Sequence, residues 1–274
     1  MGKLDGRVAL VTGAAMGIGE GIASVMAKHG ATVVLADVNE HVFVTTKHLE
    51  DKGYKVFGKL MDVVKLQQVK EVMDEILEQF GKIDILVNNA GMGTVGLFNE
   101  LTEDDINKTF DVNVRGVLNC SRAVIQNMAS NHFGKIINIA SVTGVKVSDP
   151  GFSVYGASKG AIMGFTKSLA VEVGKLGITV NAVLPGVIDT PMFNQGVKES
   201  FSKSRVEIVE ALEYGIPLNR MGTTEDIGEV VSFLASAEGS YVTGTSITVD
   251  GGGTLTECAG LLLDGGLAGL GIRQ

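Results

Sequence analysis

Two side chains that could perform acid–base chemistry, Tyr155 and Lys159, are four positions apart in one run of the chain. The run predicts the start of a helix, on which this spacing places both side chains on one face. A free tyrosine titrates near ~10 and is a poor base at neutral pH. A lysine ammonium and a positively charged ligand beside it would favour the phenolate, since lowering the pKa by ~3 needs roughly 4 kcal/mol. The spacing alone favours the alternative, a helical surface pair without chemistry.

A glycine-rich turn near the amino terminus could bind phosphate groups. Gly13, Gly17 and Gly19 lie between an apolar run over residues 7–12, which predicts a buried strand, and a helical pattern over 20–29. Glycines let the backbone approach a pyrophosphate closely, and the helix N-terminus offers unpaired N–H groups and a positive dipole end. The spacing G-x-x-x-G-x-G differs from the commoner G-x-G-x-x-G, and an ordinary tight turn is the alternative.

A carboxylate follows the next predicted strand of the same unit. Residues 31–36 form a second apolar run, and Asp37 stands at its carboxyl end. In a βαβ unit of about 30 residues, an acidic side chain here accepts hydrogen bonds from the ribose hydroxyls of an adenine dinucleotide. The turn and Asp37 together predict a dinucleotide site, and a nicotinamide cation bound there would be the positive charge beside Tyr155.

Polar residues also follow the third and fourth predicted strands. Asp62 comes directly after residues 55–60 and is interpreted as a partner of the adenine, as the N-cap of the helix that starts near Lys65, or as both. The run Asn88-Asn89-Ala90-Gly91 follows residues 83–87. It suits backbone that lies against a flat ligand while amide side chains tie neighbouring strands, and an asparagine-rich turn is the alternative.

Asn113 falls inside the longest helical pattern, residues 102–131, for which Thr102 is a predicted N-cap. Asparagine has low helix propensity and competes for backbone hydrogen bonds. It is therefore either a hydrogen-bonding residue that distorts the helix or an accident of the sequence, and the residues alone leave both open.

Strands and helices alternate along the chain, which predicts a parallel sheet covered on both faces. The remaining predicted strands cover 135–140, 178–184 and 246–249, and the remaining helices cover 41–52, 66–80, 153–174 and 224–234, the last capped by Thr224. The predicted fold is α/β, a Rossmann-type doubly wound seven-stranded parallel sheet in a single domain over residues 1–253. Residues 187–216, bounded by Pro191 and Pro217, predict a substrate lid.

The order of these motifs resembles the short-chain dehydrogenase/reductase family in its single-domain form. The motifs that carry the resemblance are Thr12-Gly13-x-x-x-Gly17-x-Gly19, Asn88-Asn89-Ala90-Gly91, Asn113, Ser141, Tyr155-x-x-x-Lys159 and Pro185-Gly186. The resemblance covers roughly residues 3–252. Within the family the chain is similar to the bacterial branch of 3-oxoacyl-carrier-protein reductase-like proteins and general alcohol oxidoreductases.

The resemblance implies hydride transfer between a nicotinamide and a secondary alcohol or ketone. It implies that Tyr155 is the general acid/base and that Ser141 stabilises charge on the carbonyl oxygen. Lys159 would lower the pKa of Tyr155 and hold the nicotinamide ribose, and Asn113 would bend its helix and hold a water linking Lys159 to solvent. The implied cofactor site comprises Gly13, Met16, Gly17, Ile18, Gly19, Asp37, Asp62, Val63, Asn89, Ala90, Gly91, Tyr155, Lys159, Pro185, Gly186, Ile188 and Thr190.

The residues around Asp37 predict NAD(H) as the cofactor. An NADP site needs a cation for the 2′-phosphate in the glycine-rich turn or just after the second strand, and those positions hold Met16, Asp37, Val38 and Asn39. Asp37 would accept from a ribose hydroxyl but repel a phosphate, because like charges in a poorly solvated contact are costly. This also counts against a biosynthetic acyl-carrier-protein reductase, which in this family typically uses NADPH.

Composition excludes several other classes of protein. The net charge of −8 over 274 residues argues against nucleic acid or an anionic membrane as the main partner. Cys120 and Cys258 are too few for a disulfide framework or a zinc site, and residues 1–6 contain no secretory signal, so we expect a cytoplasmic protein without a metal. Cys120 lies in a helical pattern and is predicted to be a structural thiol.

The sequence leaves the substrate open among hydroxysteroids or bile acids, sugar alcohols, small diols and hydroxyacyl thioesters. Apolar residues of the lid favour an apolar substrate unless they hold the lid to the body: Met192, Phe193, Phe201, Val206, Ile208, Leu212 and Ile216. The alternatives are an NADPH-dependent 3-oxoacyl reductase and a non-catalytic dinucleotide-sensing protein, although sensors of this fold generally lose the tyrosine or the lysine.

Residues 254–274 depart from the family, whose chains usually end soon after the motif Asp250-Gly251-Gly252. This extension contains the run Leu261-Leu262-Leu263, and exposed apolar clusters favour association. We predict that it packs on a neighbouring subunit of a homotetramer or homodimer, and the alternative is that it covers its own sheet edge.

Overall fold

A parallel sheet forms the centre of the molecule in the computed structural model, which describes residues 2–191, 193–194 and 205–255. The described strands follow the order β3-β2-β1-β4-β5-β6-β7, and every neighbouring pair is parallel. Their bounds are β1 Val8–Thr12, β2 Thr32–Asp37, β3 Val56–Leu60, β4 Ile85–Asn88, β5 Gly134–Ile139, β6 Ile178–Pro185 and β7 Ser246–Val249. The prediction of a seven-stranded doubly wound sheet is therefore confirmed, with strand ends shifted by one or two residues.

Helices cover both faces of the sheet. They are α1 Gly17–Lys28, α2 His41–Asp51, α3 Leu66–Phe80, α4 Glu103–Phe110, α5 Gly116–Ser130, α6 Ser153–Val173, α7 Arg205–Gly215 and α8 Thr224–Ala235. Alternate residues of β1 face opposite layers, as the strand period of two requires. Val11 packs in one buried cluster with Ile22 of α1 and Ile227 of α8, whereas Leu10 packs in another with Val124 of α5.

The helix predicted over 102–131 is two helices joined by a π-helical turn, Asp111–Arg115. In that turn the N–H of Gly116 donates to the carbonyl of Asp111, one residue further than in an α-helix. Asn113 lies in the middle of the turn and is buried. The structure therefore supports its interpretation as a residue that distorts the helix.

The helix caps confirm one sequence prediction and correct two others. Thr102 caps α4 as expected, in a capping box with Asp105. The cap of α8 is Thr223, so the prediction of Thr224 was wrong by one residue. Asp62 is not the cap of α3, because Lys65 occupies that position and the Asp62 carboxylate accepts from the N–H of Val64 instead.

Part of the predicted lid lies within the described residues. Ile208 and Ile216 are buried, and the methyl group of Ile216 lies where a side chain at Gly251 would be. Ile216 therefore packs the end of the predicted lid against the body of the domain. Met192 and Phe201 lie outside the described residues, as do Cys258 and the rest of the extension over 256–274.

Cys120 is fully buried in α5, and burial raises the pKa of its thiol to about 12. This agrees with the prediction of a structural thiol. Among the helices that the structure describes, none combines the length and apolar character needed to cross a membrane. Throughout residues 2–191, 193–194 and 205–255, no group of three or more His, Cys, Asp or Glu side chains is arranged to hold a metal ion.

Candidate active site

The predicted site residues meet at the carboxyl edge of the sheet, where the strand order reverses between β1 and β4. In open α/β sheets a ligand crevice forms at such a switch point, because the loops leave neighbouring strands in opposite directions. The glycine-rich turn follows β1, Asp37 ends β2, and Ser141 follows β5. The structure thus brings together residues that are far apart in the sequence.

The glycine-rich turn has the backbone conformation that only glycine adopts easily. Gly13 and Gly17 both have φ of +64°. A Cβ on Gly13 would lie 2.7 Å from the Cα of Ala90, and one on Gly19 would lie 2.2 Å from the carbonyl oxygen of Gly13. Side chains at these positions would push the turn away from β4, so the turn requires its glycines.

Asn89 fixes this turn to β4. Its amide donates to the carbonyl oxygens of Thr12 and Gly13, each at 2.9 Å. The hydroxyl of Thr12 in turn accepts from the N–H groups of Asn89 and Ala90. Thr12 had no predicted role of its own, and a hydroxyl directly before the first glycine is the signal that indicates one.

Asn88 ties the sheet together beneath the turn. Its amide donates to Asn138 on β5 at 2.9 Å and to Ser121 on α5 at 3.1 Å, and all three side chains are buried. This matches the prediction that the amides of this run tie neighbouring strands.

Asp37 faces the glycine-rich turn from the end of β2. One carboxylate oxygen accepts from the N–H of Ala15 at 3.0 Å, and the other accepts from the N–H of Asn39 at 2.9 Å. A carboxylate offers about four lone-pair positions, so both oxygens keep acceptor capacity for a ligand. Among the described residues, no lysine or arginine forms an ion pair with it.

Asp62 and Val63 lie directly beyond β3, the neighbour of β2. The Asp62 carboxylate pairs with Lys65 at 3.4 Å, and its side chain is about a quarter exposed. Val63 is buried, and its carbonyl accepts from Asn119 on α5. Asp62 can therefore reach a ligand with its side chain, whereas Val63 offers only backbone to it.

Tyr155 and Ser141 form the candidate acid–base pair. The Ser141 hydroxyl lies near the phenol of Tyr155, and the Tyr155 ring contacts Phe152 edge-on with centroids 6.1 Å apart. Burial raises the pKa of Tyr155 above its ordinary value, and the nearby Ser141 hydroxyl acts in the opposite direction. The predicted lowering of this pKa depends on a bound nicotinamide cation and stays a prediction, and in the chain by itself desolvation outweighs the effect of Ser141.

Lys159 lies behind Tyr155 on α6. Its Nζ is 5.7 Å from the centre of the tyrosine ring and donates to the carbonyl oxygen of Ile139 at 3.0 Å. The side chain is buried, and burial lowers its pKa to about 8. The two residues do share one helix face, as their spacing predicts.

Asn113 connects the helices on either side of the site. Its amide bonds to both backbone groups of Met92, at 2.8 and 3.0 Å, and donates to the hydroxyl of Ser158 at 3.0 Å. Ser158 donates to the carbonyl oxygen of Tyr155 at 2.7 Å. Asn113 thus positions the start of α6 relative to the loop after β4, and the water link to Lys159 stays a prediction.

The segment after β6 closes the other side of the crevice. Gly186 packs so closely on Asp250 that a Cβ would lie 2.5 Å from that side chain. Ile188 is buried and bridges to Gly222, and Pro185 ends β6. The hydroxyl of Thr190 accepts from the N–H of Phe193 at 3.2 Å.

Glycines leave room for a flat and extended ligand between these groups. A Cβ on Gly91 would lie 3.3 Å from Asn113 Oδ1 and 3.4 Å from Lys159 Nζ. A Cβ on Gly17 would lie 3.7 Å from Thr190 and 3.8 Å from Pro191. Met16 is 41% exposed at the N-cap of α1, and Ile18 lies in the first turn of that helix. The glycine-rich turn could hold the phosphates of a dinucleotide, and the space beside Gly91 could hold its nicotinamide end.

The chain is similar to known proteins along almost its whole length. The family model described as enoyl-(acyl carrier protein) reductase matches residues 13–254. The oxidoreductase UcpA of Salmonella typhimurium is 42% identical over 257 residues, which cover 94% of this chain and 98% of that protein. The 3-oxoacyl-[acyl-carrier-protein] reductase FabG of Thermotoga maritima is 39% identical over 251 residues, covering 91% and 98% of the two chains.

A solved structure has the same architecture. It is a gluconate 5-dehydrogenase from Burkholderia cenocepacia J2315 in complex with NADP and tartrate, with a TM-score of 0.85 and 34% identity over 92% of this chain and 97% of that one. The chain belongs to the short-chain dehydrogenase/reductase family. It is an oxidoreductase of that family, and its cofactor is a nicotinamide dinucleotide.

Proposed function

We propose that the protein is an NAD(H)-dependent oxidoreductase that interconverts a secondary alcohol and a ketone. The observation that supports this best is the grouping of Tyr155 and Ser141 at the carboxyl edge of the sheet, with the buried Lys159 behind them. A sensor protein would not need this arrangement. We therefore infer an enzyme.

Asp37 supports NAD over NADP. Its carboxylate faces the turn that follows β1, and a 2′-phosphate beside it would meet a like charge. The related gluconate 5-dehydrogenase is in complex with NADP, so membership of the family does not choose the cofactor. The local charge at Asp37 is what favours NAD here.

The chain's own residues act on the substrate oxygen. When bound, the nicotinamide supplies or accepts the hydride. In reduction, Ser141 donates a hydrogen bond to the carbonyl oxygen, and Tyr155 Oη gives that oxygen its proton. The raised pKa of Tyr155 keeps the phenol protonated at neutral pH, as proton donation requires. Lys159 carries the nearby positive charge and holds the ribose, and Asn113 keeps Tyr155 in register through Ser158.

We propose the remaining cofactor contacts from the positions of the predicted site residues. We assign the pyrophosphate to the turn with Gly13, Gly17 and Gly19, flanked by Met16 and Ile18. The adenosine is assigned to Asp37, Asp62 and Val63. The nicotinamide end is assigned to Asn89, Ala90, Gly91, Pro185, Gly186, Ile188 and Thr190. The substrate is a small alcohol or ketone, with hydroxysteroids or bile acids, sugar alcohols, diols and hydroxyacyl compounds as the classes to test.

Hydride transfer across a panel of these alcohols and ketones, with both NAD(H) and NADP(H), tests the proposal. We expect turnover with NAD(H) that falls by about 10²- to 10⁴-fold in Tyr155→Phe, because the variant lacks the transferable proton. NADH should still bind to the variant with nearly unchanged affinity. Tight NADH binding without turnover on a broad panel would instead support a dinucleotide sensor, and a strong NADP(H) preference would contradict the argument from Asp37.

A second candidate is reduction of 3-oxoacyl thioesters. It is favoured by the identity of 39% to FabG of Thermotoga maritima. The acidic chain, with a net charge of −8, counts against an acidic carrier protein as the partner. Acetoacetyl thioesters of coenzyme A and of acyl carrier protein belong on the same panel. Reduction with NADPH and a preference for the thioester of acyl carrier protein would identify the second candidate, whereas reduction with NADH fits the first.

A further inference from the structure

The carboxylate of Asp37 is held by a residue of the glycine-rich turn that has a second hydrogen bond on its other side. The N–H of Ala15 donates to Asp37 Oδ2 at 3.0 Å. The carbonyl oxygen of the same residue accepts from the hydroxyl of Thr45 at 2.6 Å. Ala15 is 1% exposed and Thr45 is 3% exposed. Thr45 and the backbone of Ala15 thus form a buried connection from α2 to the partly exposed Asp37 at the end of β2.

Thr45 differs from the other buried threonines of the helices in where its hydroxyl points. The neighbouring Thr46 donates to the carbonyl oxygen of Val42 in its own helix, four residues earlier, and Thr166 does the same with Ile162 in α6. A threonine within a helix commonly donates its hydroxyl hydrogen bond to the carbonyl oxygen four residues earlier in this way. Thr45 instead leaves its helix and bonds to residue 15, 30 positions earlier in the sequence.

The bond matters because both backbone groups of Ala15 are buried. A buried carbonyl that loses its partner costs free energy unless the backbone rotates to find another. Rotation of the peptide after Ala15 would disturb the turn at Met16 and would loosen the N–H that orients Asp37. A carboxylate without that N–H keeps only the bond from the N–H of Asn39, so it gains rotamer freedom toward the ribose site.

We propose that Thr45 is a positioning residue for cofactor discrimination, holding Ala15 so that the Asp37 carboxylate faces the adenine ribose. The inference rests on the proposed preference for NAD(H). Thr45 does not contact the cofactor in this assignment, and it acts only through Ala15 and Asp37. Its effect should therefore fall on the choice between the two dinucleotides rather than on both equally.

Titration of the full-length protein with NADH and with NADPH, followed by nucleotide fluorescence without substrate, tests the inference. In Thr45→Val, which keeps the side-chain shape and removes the hydroxyl, we expect the Kd for NADH to rise roughly 5- to 30-fold. The Kd for NADPH should change less than threefold or fall. The preference for NADH should therefore drop by about tenfold, and Thr45→Ser, which keeps the hydroxyl, should restore it.

Thr46→Val is the matched control. It removes a buried hydroxyl from the adjacent position of the same helix, but that hydroxyl does not contact Ala15. Its dinucleotide preference should stay at the wild-type value. Thr45→Ala replaces Thr45→Val if the valine variant does not fold, and in an Asp37→Ala background the Thr45 substitution should no longer change the preference.

Two claims are tested together, the proposed preference for NAD(H) and the positioning role of Thr45, and three results would each overturn one of them. If the wild-type protein prefers NADPH, the proposed function fails. If the wild type prefers NADH but Thr45→Val behaves like Thr46→Val, the inference about Thr45 fails while the proposed function stands. If Thr45→Val weakens NADH and NADPH equally, Thr45 supports the turn without orienting Asp37, and the inference again fails.

Discussion

At the scale of single residues, burial sets the charges of the candidate active site. Lys159 is buried against the carbonyl group of Ile139, Tyr155 is partly buried, and desolvation disfavours the charged form of each. The pKa of the tyrosine is therefore raised and that of the lysine is lowered to about 8. The two shifts leave a protonated phenol beside a lysine that is cationic at neutral pH, which suits donation of a proton to a ketone.

Lys159→Met should make the protein more stable at pH 7 while lowering turnover. Below about pH 8 the buried lysine is charged, and its pKa shift from 10.5 to about 8 corresponds to a burial cost of about 3 kcal/mol. The variant also loses the hydrogen bond to the carbonyl oxygen of Ile139, which offsets about 1 kcal/mol of the stability gained. We expect a net gain of about 2 kcal/mol, or roughly 4–8 °C in Tm by thermal unfolding.

The pH dependence of this gain is the diagnostic result. Between about pH 8 and 10.5 the unfolded wild-type chain keeps a proton that the folded chain has released, so wild-type stability rises with pH through that window. The advantage of the variant should shrink over the same range. Lys167→Met, on the exposed face of α6, is the control and should change Tm little. A gain that is absent at pH 7, or constant up to pH 10.5, would contradict the assignment.

At the scale of secondary structure elements, the position of α6 depends on close backbone contact with the loop after β5. Gly144 in this loop has φ of +82°. A Cβ there would lie 2.2 Å from the carbonyl oxygen of Gly156, the residue after Tyr155. This contact fixes the start of α6 relative to Ser141, and the hydrogen bond from Asn113 to Ser158 also holds it.

Gly144→Ala should therefore reduce kcat by at least about tenfold as well as lower stability. The added methyl must move the first turn of α6, and overpacking of this kind costs about 1–3 kcal/mol. Gly53→Ala is the matched control, since Gly53 has a similar φ of +84° but no atom lies within 4 Å of the added Cβ. Both variants should lose stability by thermal unfolding, and only Gly144→Ala should lose turnover. Equal kcat values in the two variants would show that the contact does not position Tyr155.

At the scale of the whole molecule, the extension beyond residue 255 is predicted to contribute to assembly. Its leucine-rich run is predicted to pack on a neighbouring subunit, because a large exposed apolar cluster favours association. This assembly, a homotetramer or homodimer, is the state in which we expect the enzyme to work.

Deletion of residues 256–274 should weaken that assembly and raise KM for the alcohol or ketone. Analytical ultracentrifugation measures the first effect, and steady-state kinetics measures the second. Replacing the three residues Leu261, Leu262 and Leu263 by serine keeps the chain length and should reproduce the deletion. Unchanged assembly together with unchanged KM would rule out the subunit contact and leave a tail that covers its own sheet edge.

The sequence by itself determined the family, the order of strands and helices, and the positions of the motifs at the strand ends. These features are local: strand and helix periods, glycine turns and the four-residue spacing of Tyr155 and Lys159 can each be recognised within a few residues. Only the tertiary structure decided that the pKa of Tyr155 is raised, since burial depends on elements from the whole domain. It alone revealed the bonds of Thr12 to residues 77 and 78 positions away and of Thr45 to Ala15, because such contacts form only when the chain folds.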